Sequence, residues 1–216
     1  TLSLHDALPI YPRGTVDREL EAVYWGLVAA WKKTFKELPK PVNARIETVA
    51  TNGMFRDAFR YRRCIVPASA YYEWVTPASV AAAVAAGEAA PKNVKNIPYV
   101  VFTGESPEPT ELTGGMAFAG IYEDWIDLGL PPTDPLRVRR TMAIITRPAM
   151  AAPETIHDRM PVIVDPDDWA TWLDPSNHDV ESLQALLEPI PLGILLGLFV
   201  GKQVGVFAFA WVAVKA

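Results

Sequence analysis

The chain has almost nothing from which to build a covalent or metal framework. Its 216 residues include one cysteine, Cys64, and three histidines, His5, His157 and His178. A single thiol excludes an intrachain disulfide and a Cys-based metal site, and it fits a reducing compartment. Three scattered histidines make a multi-histidine metal centre equally unpromising, so neither a metal nor a small-molecule cofactor is expected. The first residues lack a basic segment followed by an apolar one, and no secretory signal is read there. The net charge of −5 argues against a uniformly basic nucleic-acid binder.

The residues that are present are unevenly arranged. Half of them are hydrophobic, enough for a sizeable core, and the length suits one domain or one domain with an appendage. Residues 11–75 carry 11 Lys/Arg against 7 Asp/Glu, a net +4, whereas residues 76–188 carry 7 against 17, a net −10. Binding follows local potential rather than total charge, so the first half is compatible with a phosphate-facing surface. Ordinary scatter of surface charge is the plainer alternative.

Three segments are expected from the composition. Residues 1–10, TLSLHDALPI, show no periodicity that continues beyond Ile10; they resemble a translated sequencing adapter and are expected to lie outside the native fold. Residues 11–188 have the pattern of a compact mixed domain. Residues 189–216 are apolar, and Ile190 to Val214 contains only Lys202 and Gln203 as strongly polar members. That run is long enough for a membrane span, and Gly193, Gly197, Gly201 and Gly205 recur at the four-residue spacing of packed membrane helices. A transmembrane-like helix with membrane association through 190–214 is the expectation; a buried core segment is the alternative.

Within 11–188, short apolar runs at 99–103, 116–122, 141–146 and 160–164 read as buried strands. Cys64 to Trp74 reads as a strand interrupted near Pro67. Asn52 is placed to cap a short helix through Phe59, Asp165 to Leu173 opens with the acids and early proline of a helix, and Val180 to Leu187 suits another. An alanine-rich stretch, Ser79 to Ala90, suits a helix or a surface insertion. Strands with peripheral short helices imply an α+β fold.

The candidate chemistry lies on separate segments. Glu73 sits among Tyr71, Tyr72 and Trp74, and an apolar surrounding favours the protonated acid needed for proton transfer; an ion pair with Arg60, Arg62 or Arg63 is the alternative. His157 lies beside Asp158 and Arg159 and suits a general acid or base, or an ordinary loop position. Asn43 and Arg45 are two positions apart, hence on one side of a strand, where the guanidinium suits a phosphate or an ion pair with Glu47. Trp25 and Trp74 suit stacking against bases, or core packing.

Taken in order, W-G-L, N-A-R-x-E-T, F-R-x-A-F-R-x-R-R-C-x-V-P-A-x-x-Y-Y-E-W, A-G-I-Y-E-x-W and I-H-D-R-M-P-V-I-V resemble the SOS response-associated peptidase (SRAP) family, from about Trp25 to about Leu187. The resemblance implies a mainly β, α+β domain that binds single-stranded DNA at abasic sites, in the cytoplasm and at the nucleoid. It implies an N-terminal cysteine, exposed by methionine removal, that crosslinks to the opened sugar as a thiazolidine. By the same resemblance Asn43 positions the N-terminal amine, Glu73 transfers protons and His157 assists ring opening. Arg45 and Arg159 then contact phosphates, and Trp25 and Trp74 line the DNA cleft. The family's Cys-Gly-Arg start is not found in this sequence, and Cys64 has no free α-amine beside it, so no nucleophile is assigned and crosslinking is not expected of this chain. The tail resembles a fragment of an NhaA-type sodium/proton antiporter, without that family's paired intramembrane aspartates.

Overall fold

The computed structural model describes residues 6–7, 10–13, 17–74, 98–102, 115–150 and 157–188. In chain order the elements are β1 (Asp6–Ala7), β2 (Ile10–Arg13), β3 (Asp17–Leu20), β4 (Val23–Trp25), β5 (Asn43–Arg45), α1 (Ile46–Val49), α2 (Arg56–Tyr61), β6 (Arg63–Ala68), β7 (Ala70–Trp74), β8 (Pro98–Phe102), β9 (Met116–Ile126), β10 (Val138–Pro148) and β11 (Arg159–Pro161). A 3-10 turn at Pro166–Asp168 leads into α3 (Trp169–Trp172), and α4 (Val180–Leu187) follows. The architecture is α+β and mainly β, with few and short helices. The expected Ser79–Ala90 segment and residues 189–216 lie outside the described residues. Among the described residues no helix is long and apolar enough to cross a membrane.

Nine strands form one sheet in the order β1-β4-β10-β9-β6-β2-β3, with β5 and β11 added on β10; β7 and β8 form a separate antiparallel pair. β10 is the hub. Its apolar run from Met142 to Ile145 is buried on both faces, as a central strand requires. β9 runs antiparallel to it from Val138↔Ile126 to Ile144↔Gly120. Beyond that point the two strands part and the segment after Arg159 enters between them. Val162 donates to the Ile145 carbonyl (2.9 Å) and accepts from the Ala119 amide (2.8 Å), and Val164 donates to the Ala117 carbonyl (2.8 Å). The strand expected at 160–164 is therefore a wedge that pairs first with β10 and then with β9.

Period-two alternation splits the core into two layers. Ala143 and Ile145 join Phe59, Trp172, Leu183 and Leu187 beneath the helices. Met142 and Ile144 join Val23, Cys64, Val66, Met116 and Phe118 on the other face, against which Trp25, Ala68, Tyr71 and Tyr122 pack. Each large aliphatic or aromatic side chain buried this way contributes roughly 1.5–3 kcal/mol. Tyr71 carries the β7–β8 pair onto this second face by an edge contact with Phe118, 5.8 Å between ring centres.

Several expectations change at the local level. Pro67 does not interrupt the strand; it lies within β6 opposite Ala117, and the break comes at Ser69. Asn52 takes the Met54 amide on its side-chain oxygen (2.8 Å), forming a turn ahead of α2, which begins four residues later. Asp165 and Asp179 do cap their helical segments, through the amides of Asp167 and Glu181. Within the decapeptide expected to lie outside the fold, Asp6–Ala7 pairs with Val23–Tyr24, and Ile10 pairs with Leu20 and Ile65. Backbone pairing needs no hydrophobic period, which is why the sequence pattern held no sign of it.

Arg63 anchors the helical layer. It is almost fully buried, and its guanidinium donates to the carbonyls of Phe59, Arg60, Trp172, Asp174 and Asn177 at 2.5–3.2 Å. Burial lowers its pKa to about 10, partly offset by the Asp174 charge. Only a planar fork with five donors meets five carbonyls at once.

Gly120 marks the tightest contact on the second face. A methyl group there would sit 2.7 Å from Cys64 Sγ, 3.3 Å from Val66 Cγ2 and 3.4 Å from Met142 Cε. Gly120→Ala should lower stability by about 1–3 kcal/mol through overpacking, read as a reduced urea midpoint at unchanged slope. Adding Cys64→Ala should recover part of that loss; a strictly additive double variant would contradict the contact.

Candidate functional site

β5 lies parallel to β10 with Asn43 beside Ile144, Ala44 beside Ile145 and Arg45 beside Thr146. Ala44 is buried in the helix-side core, so Asn43 and Arg45 project to the second face, where both are exposed. The expectation that they share one side of a strand holds. On the other edge of β10, Pro161 pairs with Thr146 and Arg159 with Pro148. Asn43, Arg45 and Arg159 thus flank the end of β10 around Thr146.

The arginines differ in state. Arg159 forks onto Glu47 at 2.5 and 3.0 Å and also donates to the Thr146 carbonyl (2.7 Å) and hydroxyl (3.3 Å). Glu47 is the alternative partner that spacing suggests for Arg45; the fold gives it to Arg159 instead, from 112 residues away. The fork holds the Glu47 carboxyl below its ordinary value, chiefly by the hydrogen bond from Arg159, against an opposing effect of burial. Among the described residues Arg45 has no ion-pair partner.

His157 Nδ1 faces the Arg159 amide at 3.0 Å and the Asp158 carboxylate at 3.1 Å. The Arg159 carbonyl lies 3.3 Å from the same nitrogen. The ring is thereby tied to the start of β11.

Glu73 is half-buried on β7, on the same side as Tyr71, whereas Tyr72 and Trp74 are exposed on the other side. The flanking aromatics therefore do not enclose the carboxylate; alternation turns two of them away. No ion pair to Glu73 occurs among the described residues, because Arg62 is used by Glu123 (2.7 Å), Arg63 by five carbonyls and Arg60 by the His178 carbonyl. Glu73 Oε1 accepts from the Trp74 amide at 3.2 Å, and on the same side of β7 the hydroxyl of Tyr71 is buried without a hydrogen-bond partner among the described residues. Burial, and then the Glu73 charge, push its pKa up to about 12. No hydrogen bond joins Glu73 to Asn43 or His157 among the described residues.

Trp25 is half-buried on the second face, and its indole N–H is fixed on the Val42 carbonyl (2.8 Å). It is a wall rather than a free platform. Gly26 beside it has φ +142°, and a methyl group there would meet Tyr24 Cε1 at 2.8 Å, which explains the glycine of W-G-L. Trp74 is 50% exposed, the arrangement a stacking surface needs. Cys64 is fully buried with its thiol pKa pushed far up by desolvation, so it is a packing residue.

Sequence reasoning missed Thr146 and the pairing of Glu47 with Arg159. Thr146 ends the T-M-A-I-I-T run as a polar residue on the second face, a signal present in the alternation. The Glu47–Arg159 fork joins two sites far apart in sequence and left no local sign.

The profile of the family described as "SOS response associated peptidase (SRAP)" matches residues 3–206, and the chain belongs to that family. Among named relatives, "Abasic site processing protein YoqW" of Bacillus subtilis (strain 168) is 35% identical over 173 residues, covering 80% of this chain and 65% of that protein. The chain thus spans just under two-thirds of that relative's length. A protein from Bacteroides thetaiotaomicron, solved by X-ray crystallography, superposes with a TM-score of 0.62 at 26% identity, covering 84% of this chain and 68% of that one. A short C-terminal part is separately similar to sodium/proton antiporters, 72% identical over 32 residues to "Na(+)/H(+) antiporter NhaA" of Nitrobacter hamburgensis, 15% of this chain and 8% of that one.

The Glu47–Arg159 fork gives a pH-dependent contribution to stability. A carboxyl held below its ordinary value stabilises the fold above 4.5 and loses that effect as pH falls through the lowered value. With the Glu47 side chain 44% exposed, about 0.2–1 kcal/mol is expected. Comparing urea midpoints of wild type and Glu47→Gln should show a gap at neutral pH that closes in acid; a gap that stays constant contradicts it.

Proposed function

We propose that the chain binds single-stranded DNA at abasic sites, and that the second face of the sheet around Thr146 receives the strand. The observation that supports this most is the convergence of Asn43, Arg45 and Arg159 on the two edges of β10. The family membership and the names of the relatives point the same way. Arg45, exposed and without a carboxylate partner among the described residues, takes a phosphate; Arg159 does so by exchanging its fork with Glu47 for one with phosphate oxygens, since the two anions have matching geometry. Trp25 walls the cleft, and Trp74, exposed on the outer side of β7, offers a stacking face.

The chemistry is set by the needs of an opened deoxyribose. A masked aldehyde needs an acid to open the ring, and an imine needs a group that moves protons. Glu73 supplies the carboxyl, His157 the second acid–base group next to Arg159, and Asn43 an amide that orients an amine. In family members with an N-terminal cysteine, the amine and thiol of that residue would close the thiazolidine. Cys64, buried and without an adjacent α-amine, takes no part.

A second reading, membrane attachment through residues 190–214, has one supporting observation, the antiporter likeness of the short C-terminal part. Flotation of the full chain with liposomes tests it: recovery in the aqueous fraction regardless of lipid rejects it.

The DNA reading is tested by competition between single strands with and without one abasic site. Preference for the abasic strand is expected, reduced by Asn43→Ala. Arg45→Ala should weaken both strands about tenfold and reduce the slope of log affinity against log salt by about 0.7. Equal affinity of the unaltered chain for the two strands would sink the proposal.

A further inference from the structure

We propose that Lys32, Lys40 and Arg139 form a binding site for a phosphate group, on the face of the sheet opposite Asn43 and Arg45. Arg139 and Thr146 lie seven residues apart on one continuous strand, so their side chains point to opposite faces at a separation of roughly 23 Å. The site is therefore distinct from the one assigned to abasic DNA and does not rest on that reading.

The site is built on Phe35. Tyr24 and Trp125 meet its ring edge-on at 5.3 and 5.6 Å. The Trp125 indole N–H donates to the Lys32 carbonyl (2.7 Å), which fastens the segment after β4 over the sheet. Two cations share the Phe35 ring: Lys40 Nζ lies 4.2 Å and Arg139 Cζ 4.8 Å from its centre. Lys32 is buried to 4% exposure, and its ammonium donates to the carbonyls of Glu37 and Pro39. Among the described residues no carboxylate lies within ion-pair distance of any of the three. Glu37, the acid in the same segment, turns one carboxylate oxygen back to the Lys33 amide (3.3 Å).

Two further observations indicate that the cluster is incomplete as it stands. Among the described residues Arg139 Nε is buried with no hydrogen-bond partner, as are the Nε atoms of Arg62, Arg147 and Arg159, although buried donors are nearly always paired. The pKa of Lys40 is lowered by burial and by the charges of Lys32 and Arg139, which is the mark of cations gathered without an anion. A ring face attracts a cation only weakly, and neither the Phe35 ring nor the Tyr24 ring, whose centre lies 5.0 Å from Lys40 Nζ, neutralises the charge it meets. A carboxylate would bring one negative charge and leave the cluster strongly positive. A phosphate brings more charge and several acceptor oxygens, matching an arginine fork and two lysine point charges.

The group can come from free inorganic phosphate or from the phosphodiester of a nucleic-acid strand, and the experiment separates them. The full chain is titrated with inorganic phosphate while backbone amide shifts of residues 31–40 are followed by NMR, then challenged with a single-stranded oligonucleotide. Saturable shifts are expected, with affinity at least about tenfold weaker in Lys40→Gln/Arg139→Gln. Lys36→Gln, an exposed cation in the same segment, should behave as wild type, as a control for general charge. An oligonucleotide that displaces phosphate from these amides identifies the strand as the source; one that leaves them unchanged identifies free phosphate. Lys40→Gln alone should show a smaller loss in the same direction, which keeps the test decisive if the double variant fails to fold. Non-saturable shifts in wild type, or equal affinity in wild type and the Lys40 variants, would overturn the proposal.

Discussion

β10 has two hydrogen-bonding edges and four partner strands, and that constraint organises the molecule. One edge is held by β9 as far as Ile144 and then by β11; the other is shared between β4 at Thr141–Met142 and β5 at Ile144–Thr146. Segments from three distant parts of the chain are thereby brought to one level of one strand. Because side chains alternate, a slip of one residue in β5 would bury Asn43 and Arg45 and expose Ala44. Register fixes the candidate site as firmly as it fixes the core.

The arginines divide between structure and surface according to the edge on which each falls. The consecutive pair Arg62 and Arg63 belongs wholly to structure. Arg62 reaches to the buried Glu123 on β9, whose carboxyl pKa is raised by burial despite that partner. Arg63 collects the carbonyl ends of α2 and of the turn after α3, groups that would otherwise be buried unpaired. Arg45, on β5 at the end of β10, is exposed, whereas Arg159 across that strand is spent on Glu47 and Thr146 with its side chain 19% exposed. A basic motif in a sequence thus contains two kinds of arginine, and only the direction of each side chain separates them.

Apolar content and punctuation made much of the fold legible. The runs at 116–122 and 141–146 are the hearts of β9 and β10, though both strands extend further, since polar residues at a strand end pair as well as apolar ones. The helices at 165–173 and 180–187 announce themselves through capping aspartates. Asn43 and Arg45 could be placed on one face from spacing alone. Glu73 could not be placed correctly in the same way: its aromatic neighbours suggest enclosure, but two of them turn to the opposite side of β7. The pairing of β1 and β2 was invisible, because backbone hydrogen bonding by itself carries no sequence pattern.

By itself, the sequence determined the family, the α+β class and the residue types available for acid–base work. These come from composition, local periodicity and motif order, all properties of neighbouring residues. The tertiary structure alone decided that Glu47 pairs with Arg159 rather than Arg45, that Arg63 is spent on five carbonyls, and that Lys40 and Arg139 meet on one phenylalanine ring. Each of these joins groups distant along the chain, where strand register sets the meeting and no local pattern records it.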